Sequence, residues 1–131
     1  MRTLWIVAIG FMLTVGVAAQ SAAQARADIK DAKGQSIGSA TLVETPHGVL
    51  VTVNLTAAPA GPHAFHLHAV GKCEAPFTTA GGHLNPGSKK HGIKSAEGAH
   101  AGDLPNLTVP AGGALSLEVL AHGVTMAQVL D

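Results

Sequence analysis

The chain has 131 residues, with eight basic and eight acidic side chains and a formal charge of zero when histidine is neutral. That balance excludes nucleic acid or an anionic membrane surface as the main partner, since both select for clustered cations. The length suffices for one small domain.

The N-terminus reads as a targeting segment. Arg2 is its lone charge, Leu4 to Val17 is apolar, and Ala23-Gln24-Ala25 has the small-x-small form of a signal peptidase site. Residues 1–25 are therefore expected to be a signal peptide, cleaved after Ala25, with cleavage after Ala19 as the rival. The apolar run is short for a membrane span. Removal of 1–25 takes Arg2 and no acid, so residues 26–131 carry seven basic and eight acidic groups. This 106-residue product is expected in the periplasm or outside the cell, with no stable membrane association. Trp5 and Phe11 leave with the signal, so the core has Phe65 and Phe77 as its aromatics and must be mainly aliphatic.

Six short strands follow. Ala27 to Lys33 is a weak first strand, turned by Gly34 and Ser36. Ile37 to Glu44 is the second, closed by Thr45-Pro46-His47-Gly48. Val49, Val51, Val53 and Leu55 alternate with Leu50, Thr52 and Asn54, the period of two of a third strand. Ala58-Pro59-Ala60-Gly61-Pro62 breaks it. The fourth strand spans Ala64 to Val70, with Phe65, Leu67 and Ala69 on one face and His66 and His68 on the other. From Gly71 to Asn106 the chain is rich in Gly, Pro, Lys, Ser and His, and is expected to be a long functional loop. Leu107 to Val109 starts a fifth strand, and Leu115, Leu117 and Val119 belong to a sixth. Met126, Val129 and Leu130 suit one helical turn. Six strands with regular turns predict an antiparallel sandwich or barrel.

The chemistry lies in histidine spacing. His66 and His68 are two apart on a strand, so their imidazoles lean to one side, where copper or zinc suits them better than calcium or magnesium. His83, His91, His100 and Asp103 add three nitrogens and a carboxylate, the donor set of a closed tetrahedral zinc site. His66 and His68 alone make a poor copper site. Sharing His83 gives copper three imidazoles, because an imidazole that has lost both ring protons can join two cations. The single cysteine, Cys73, is free, pairs between chains, or lacks its partner.

Gly61-Pro62-His63-Ala64-Phe65-His66-Leu67-His68, Gly71-Lys72-Cys73, Ala80-Gly81-Gly82-His83-Leu84-Asn85-Pro86, His91 and His100-Ala101-Gly102-Asp103-Leu104-Pro105 closely resemble the copper/zinc superoxide dismutases of the exported bacterial type. The resemblance covers essentially all of residues 26–131. It implies an all-β, Greek-key antiparallel sandwich or barrel holding copper and zinc. It implies His66, His68 and His83 as catalytic copper ligands. His83, His91, His100 and Asp103 become zinc ligands, with His83 bridging. Superoxide is the implied substrate, disproportionated to oxygen and hydrogen peroxide, and a homodimer is compatible with it. Cys73 matches the loop cysteine of the family's intrachain disulfide, and His63 a non-ligand histidine beside the site. His47 and His122 match no ligand and read as surface residues.

Family members continue past the point matching Asp131. The resemblance therefore implies a C-terminally incomplete domain with about six of eight strands. The fourth copper histidine, a charged loop, a substrate-guiding arginine and the second disulfide cysteine have no counterpart here. Ala64 stands where the family usually has glycine. The alternative expectation is a non-catalytic periplasmic zinc- or copper-binding protein on the same fold.

Overall fold

The computed structural model describes residues 22–131. The expected signal peptide thus lies outside the described residues, except for its last four. Six strands form: β1 (Gln24–Lys30), β2 (Ser36–Thr45), β3 (Gly48–Leu55), β4 (Gly61–His66), β5 (Asp103–Val109) and β6 (Leu115–His122). One helical turn, α1 (Met126–Leu130), follows.

All pairings are antiparallel. One sheet has the order β1-β2-β3-β6 and the other holds β4 and β5. The chain crosses to the second sheet after β3 and returns at β6, which lies against β3, as a Greek key requires. The expected all-β sandwich is the observed fold.

Register explains which side chains meet. Ala27, Ala40, Val53 and Leu117 form one row across the large sheet, and Ala25, Leu42, Val51 and Val119 the next. These rows face the core. Val49, Val51 and Val53 are 1% exposed or less, so the period of two read in β3 is a real division between core and solvent. Leu104 and Val109 of β5 close the core from the second sheet, with Val124 and Met126 at its end. Outside, the Thr52 hydroxyl donates to Glu118 Oε1 over 2.9 Å. Along the inner face between β1–β3 and β4 runs an open groove of about 1010 Å³, lined by residues that include Ala27, Leu42, Val51, Phe65 and Leu67.

Strand limits differ most from expectation in β1, β4 and β5. β1 lies three residues earlier, because Asp31 Oδ1 accepts the N–H groups of Lys33 and Gln35 and bends the chain there. β4 runs from Gly61 to His66 rather than from Ala64 to Val70, so it begins within the segment expected to break the chain, and His68 makes only an isolated bridge to His83. β5 starts at Asp103, four residues before Leu107. Its pairing shifts between His63 and Phe65, and the resulting bulge accommodates Pro105, which cannot donate to the ladder. Within the long loop, Thr78–Ala80 forms a 3-10 turn. The expected final turn is present, with a capping box: Thr125 accepts from Gln128 N–H, and Gln128 Oε1 accepts from Thr125 N–H.

Candidate metal centre

Three backbone hydrogen bonds assemble the site. Leu67 N–H donates to Gly102 O at 2.9 Å, Gly102 N–H to Leu84 O at 2.8 Å, and Leu84 N–H to Leu67 O at 2.8 Å. The ring joins three distant segments, and each carries histidines beside its ring residue. His66 and His68 flank Leu67, His83 precedes Leu84, and His100 and Asp103 flank Gly102. Glycine is needed in the third position, because a Cβ on residue 102 would run into the Leu67 carbonyl and stand 3.1 Å from Leu84 Cβ.

Asp103 is the centre of the cluster, with its side chain 2% exposed. Oδ2 accepts two backbone hydrogen bonds, from Gly92 N–H at 2.8 Å and His100 N–H at 3.1 Å. Oδ1 is left facing three imidazoles. His83 Nδ1 lies 2.9 Å from it, His91 Nδ1 3.2 Å and His100 Nδ1 3.4 Å. Nδ1 of His100 is also 3.3 Å from Nδ1 of His83. A tetrahedral zinc with ligand bonds of about 2.0–2.1 Å has ligand-to-ligand edges of about 3.3 Å. The four separations lie near that edge, so three nitrogens and one carboxylate oxygen fit such an ion.

His66 and His68 approach from β4 and the residues after it. The His66 ring stacks on His83 with centroids 3.9 Å apart and planes 18° apart. His68 meets His83 edge-on at 5.1 Å. The donor atoms of His66, His83, His91 and Asp103 all lie within 4.8 Å of one another, so His66 stands close to both parts of the cluster. His68 Nδ1 is 2.9 Å from Gly81 O. With its proton there, donating to that carbonyl, His68 keeps Nε2 for a metal.

Burial pushes the Asp103 carboxyl upward. Hydrogen bonds from Gly92 N–H, His100 N–H and His83, with the charge of His100, outweigh burial and hold it well below the usual carboxylate range. Burial, followed by the neighbouring His83, pushes the His66 imidazole down.

All six expected metal-ligating side chains converge. The other singled-out residues lie apart. His63 Nε2 is 2.7 Å from Pro59 O, anchoring the start of β4. Cys73 is exposed, with no disulfide partner among the described residues. His47 and His122 are exposed. Sequence reading missed Leu67, Leu84, Gly92 and Gly102, which act through backbone atoms. Only Gly102, set between His100 and Asp103, left a visible sign.

Residues 36–131 match the family described as copper/zinc superoxide dismutase (SODC). Superoxide dismutase [Cu-Zn] 1 of Aquifex aeolicus is 44% identical over 102 residues, covering 76% of this chain and 60% of that relative. Superoxide dismutase [Cu-Zn] 2 of the same organism is 38% identical over 128 residues, covering 96% of this chain and 75% of the relative. The crystal structure of a SOD-like protein from Bacillus subtilis superposes with a TM-score of 0.72 at 30% identity, covering 77% of this chain and 69% of that one. The chain thus spans about three-fifths of the first relative's length. A family match over most of the chain, with a cluster of histidines around a buried aspartate in a Greek-key sandwich, leads to one conclusion: this chain belongs to the copper/zinc superoxide dismutase family.

Proposed function

We propose that the protein is a superoxide dismutase in which His83, His91, His100 and Asp103 hold zinc while His66, His68 and His83 hold copper. The observation that carries this reading is the convergence of three Nδ1 atoms on Asp103 Oδ1 at 2.9, 3.2 and 3.4 Å, with His66 stacked on His83. Bound copper supplies a one-electron cycle that turns two superoxide ions and two protons into dioxygen and hydrogen peroxide, and zinc, with its filled d shell, supplies structure.

The chain's own residues have separable tasks. The Asp103 carboxylate balances cationic charge and fixes the Nδ1 side of three imidazoles. His83 commits Nδ1 to that cluster, which leaves Nε2 to face a second ion or to hold a proton. Gly81 O fixes the tautomer of His68. Residues 1–25 act as an export signal, and the product works in the periplasm or outside the cell. Gln24 and Ala25 pair with Val43 and Leu42, so cleavage after Ala19 preserves all of β1 whereas cleavage after Ala25 shortens it. N-terminal sequencing of the exported protein distinguishes the two.

The second reading is a metal-binding protein without dismutase activity. It is supported by an inequality among the described residues: the proposed zinc position has four candidate donors, whereas the proposed copper position has His66, His68 and a shared His83. Metal content and superoxide decay by pulse radiolysis, measured on one preparation, separate the readings. One zinc and one copper per chain with catalysed decay is expected. Stoichiometric metal without faster decay replaces dismutation by metal binding, and the absence of stoichiometric metal overturns both.

A further inference from the structure

The three imidazoles that face Asp103 Oδ1 are not held alike. His83 and His100 stand beside Leu84 and Gly102, so the backbone ring fixes their segments. His91 adjoins no ring residue, and its side chain is 59% exposed, against 22% for His83 and 18% for His100. Its neighbour Gly92 nevertheless places an N–H 2.8 Å from Asp103 Oδ2. Residues 90–98 supply the missing hold by closing on themselves. Lys90 N–H donates to Glu97 O at 3.0 Å, Ser95 N–H to Gly92 O at 3.0 Å and Gly98 N–H to Ser95 O at 3.1 Å. Lys90 and Gly98 also form an isolated bridge. This closure brings Gly98 against the two carbonyls that bracket His91. A Cβ on residue 98 would stand 2.6 Å from Gly92 O, 2.9 Å from Lys90 O and 2.9 Å from Ser95 Cβ. Two of these three obstacles are backbone atoms, which cannot swing aside as the end of a side chain can. Any side chain at residue 98 therefore displaces the backbone on one side of His91 or the other.

We propose that Gly98 is a positioning residue for the zinc ligands: by letting residues 90–98 close, it aims the Gly92 N–H at Asp103 Oδ2 and keeps His91 Nδ1 beside Oδ1. The proposal rests on the zinc ligands assigned under the proposed function. Gly98 acts through the backbone, by holding a hydrogen-bond donor to one ligand and the chain that carries another. Outer partners of this kind matter for affinity because they fix the orientation of the groups that meet the metal. None of residues 90–98 is buried, so a turn that opens here leaves the core intact. Gly98 differs in this from Gly102, whose replacement also disturbs the ring that ties the loop to β4 and β5.

The test uses the full chain, stripped of metal and reloaded with Zn(II), or with Co(II), whose visible absorption reports ligand geometry. Gly98→Ala should weaken zinc binding about 10- to 100-fold in competition with a chelator, the usual effect of losing an outer partner. It should also shift the Co(II) absorption bands and leave the melting temperature of the metal-free protein unchanged. His91→Gln should weaken zinc binding as well. The two changes together should cost less than the sum of their separate losses, because both act on one arm of the site. Unweakened zinc binding in Gly98→Ala, alongside weaker binding in His91→Gln, would overturn the proposal and leave the ligand assignment standing. Unweakened binding in His91→Gln would overturn both. A metal-free Gly98→Ala protein that melts lower or fails to fold, or one whose Co(II) bands match the wild type, would make Gly98 a residue of the fold alone and overturn its positioning role. None of these outcomes depends on dismutase activity.

Discussion

Asp103 carries a negative charge in a place almost closed to water, and its two oxygens are used differently. Backbone N–H groups fix Oδ2, which leaves Oδ1 to organise the imidazoles. The carboxylate ionises more readily in the fold than in the unfolded chain. Its contribution to stability is therefore complete above the ordinary value of about 3.9 and is withdrawn as pH falls through the lower, folded value. His66 adds a second dependence. Its folded imidazole resists protonation, so below about 6.5 the unfolded chain takes up the proton more readily and stability falls. Metal-free protein should thus lose stability in two stages on acidification, seen by urea titration at a series of pH values. His66→Gln should remove the upper stage and Asp103→Asn the lower. A profile that neither variant changes would refute both assignments. With metals present, His100→Gln should release zinc, and an unchanged zinc content would contradict its place in the cluster. His66→Gln should lower copper content and spare zinc. Zinc leaving first would mean that the ligands are divided differently.

At the level of elements, the site depends on how the long loop is tied to β4 and β5. Gly102→Ala drives a methyl group into the Leu67 carbonyl, so the ring through Leu67, Leu84 and Gly102 must open or shift. A lower melting temperature together with weaker zinc binding is expected. A drop in melting temperature alone would separate the ring from the metal centre. Removing zinc should loosen the loop and speed tryptic cleavage after Lys89, Lys90 and Lys94, all exposed. Equal cleavage of the zinc-bound and metal-free forms would show that the ion does not order this segment. The clustering of five histidines with Asp103 was legible in the sequence because its members occupy one short window and their residue types announce their chemistry. The ring was not, because its donors and acceptors are backbone groups that nearly every residue carries. The start of β5 was hidden for a related reason. Pro105 reads as a strand breaker, and only the bulge opposite β4 shows how a strand can hold it.

For the molecule as a whole, the core is a band of aliphatic side chains between two unequal sheets. Met126 is 1% exposed at the end of this band, delivered by the turn that Thr125 caps. Met126→Ala should cost about 2–5 kcal/mol by denaturant titration, the range for truncating a buried methionine. A loss well under 1 kcal/mol would mean that neighbours such as Val129 close the cavity. The alternation in β3 and β6 makes these strands of the large sheet readable in the sequence, since a period of two sorts core from solvent directly. The limits of β1 and β4 were less readable. They depend on the Asp31 turn and on the bridge from His68 to His83, which no local pattern encodes.

The ring through Leu67, Leu84 and Gly102 also bears on the order of events during maturation. It divides one long excursion into two shorter closed loops, from Leu67 to Leu84 and from Leu84 to Gly102. Part of the loop-closure entropy is then met by peptide groups before any ion arrives. An arriving ion meets an assembled chelate rather than a wandering chain, so capture should be fast and release slow. Severing the ring should therefore show first in the rate at which metal is acquired, ahead of any change in the final amount bound.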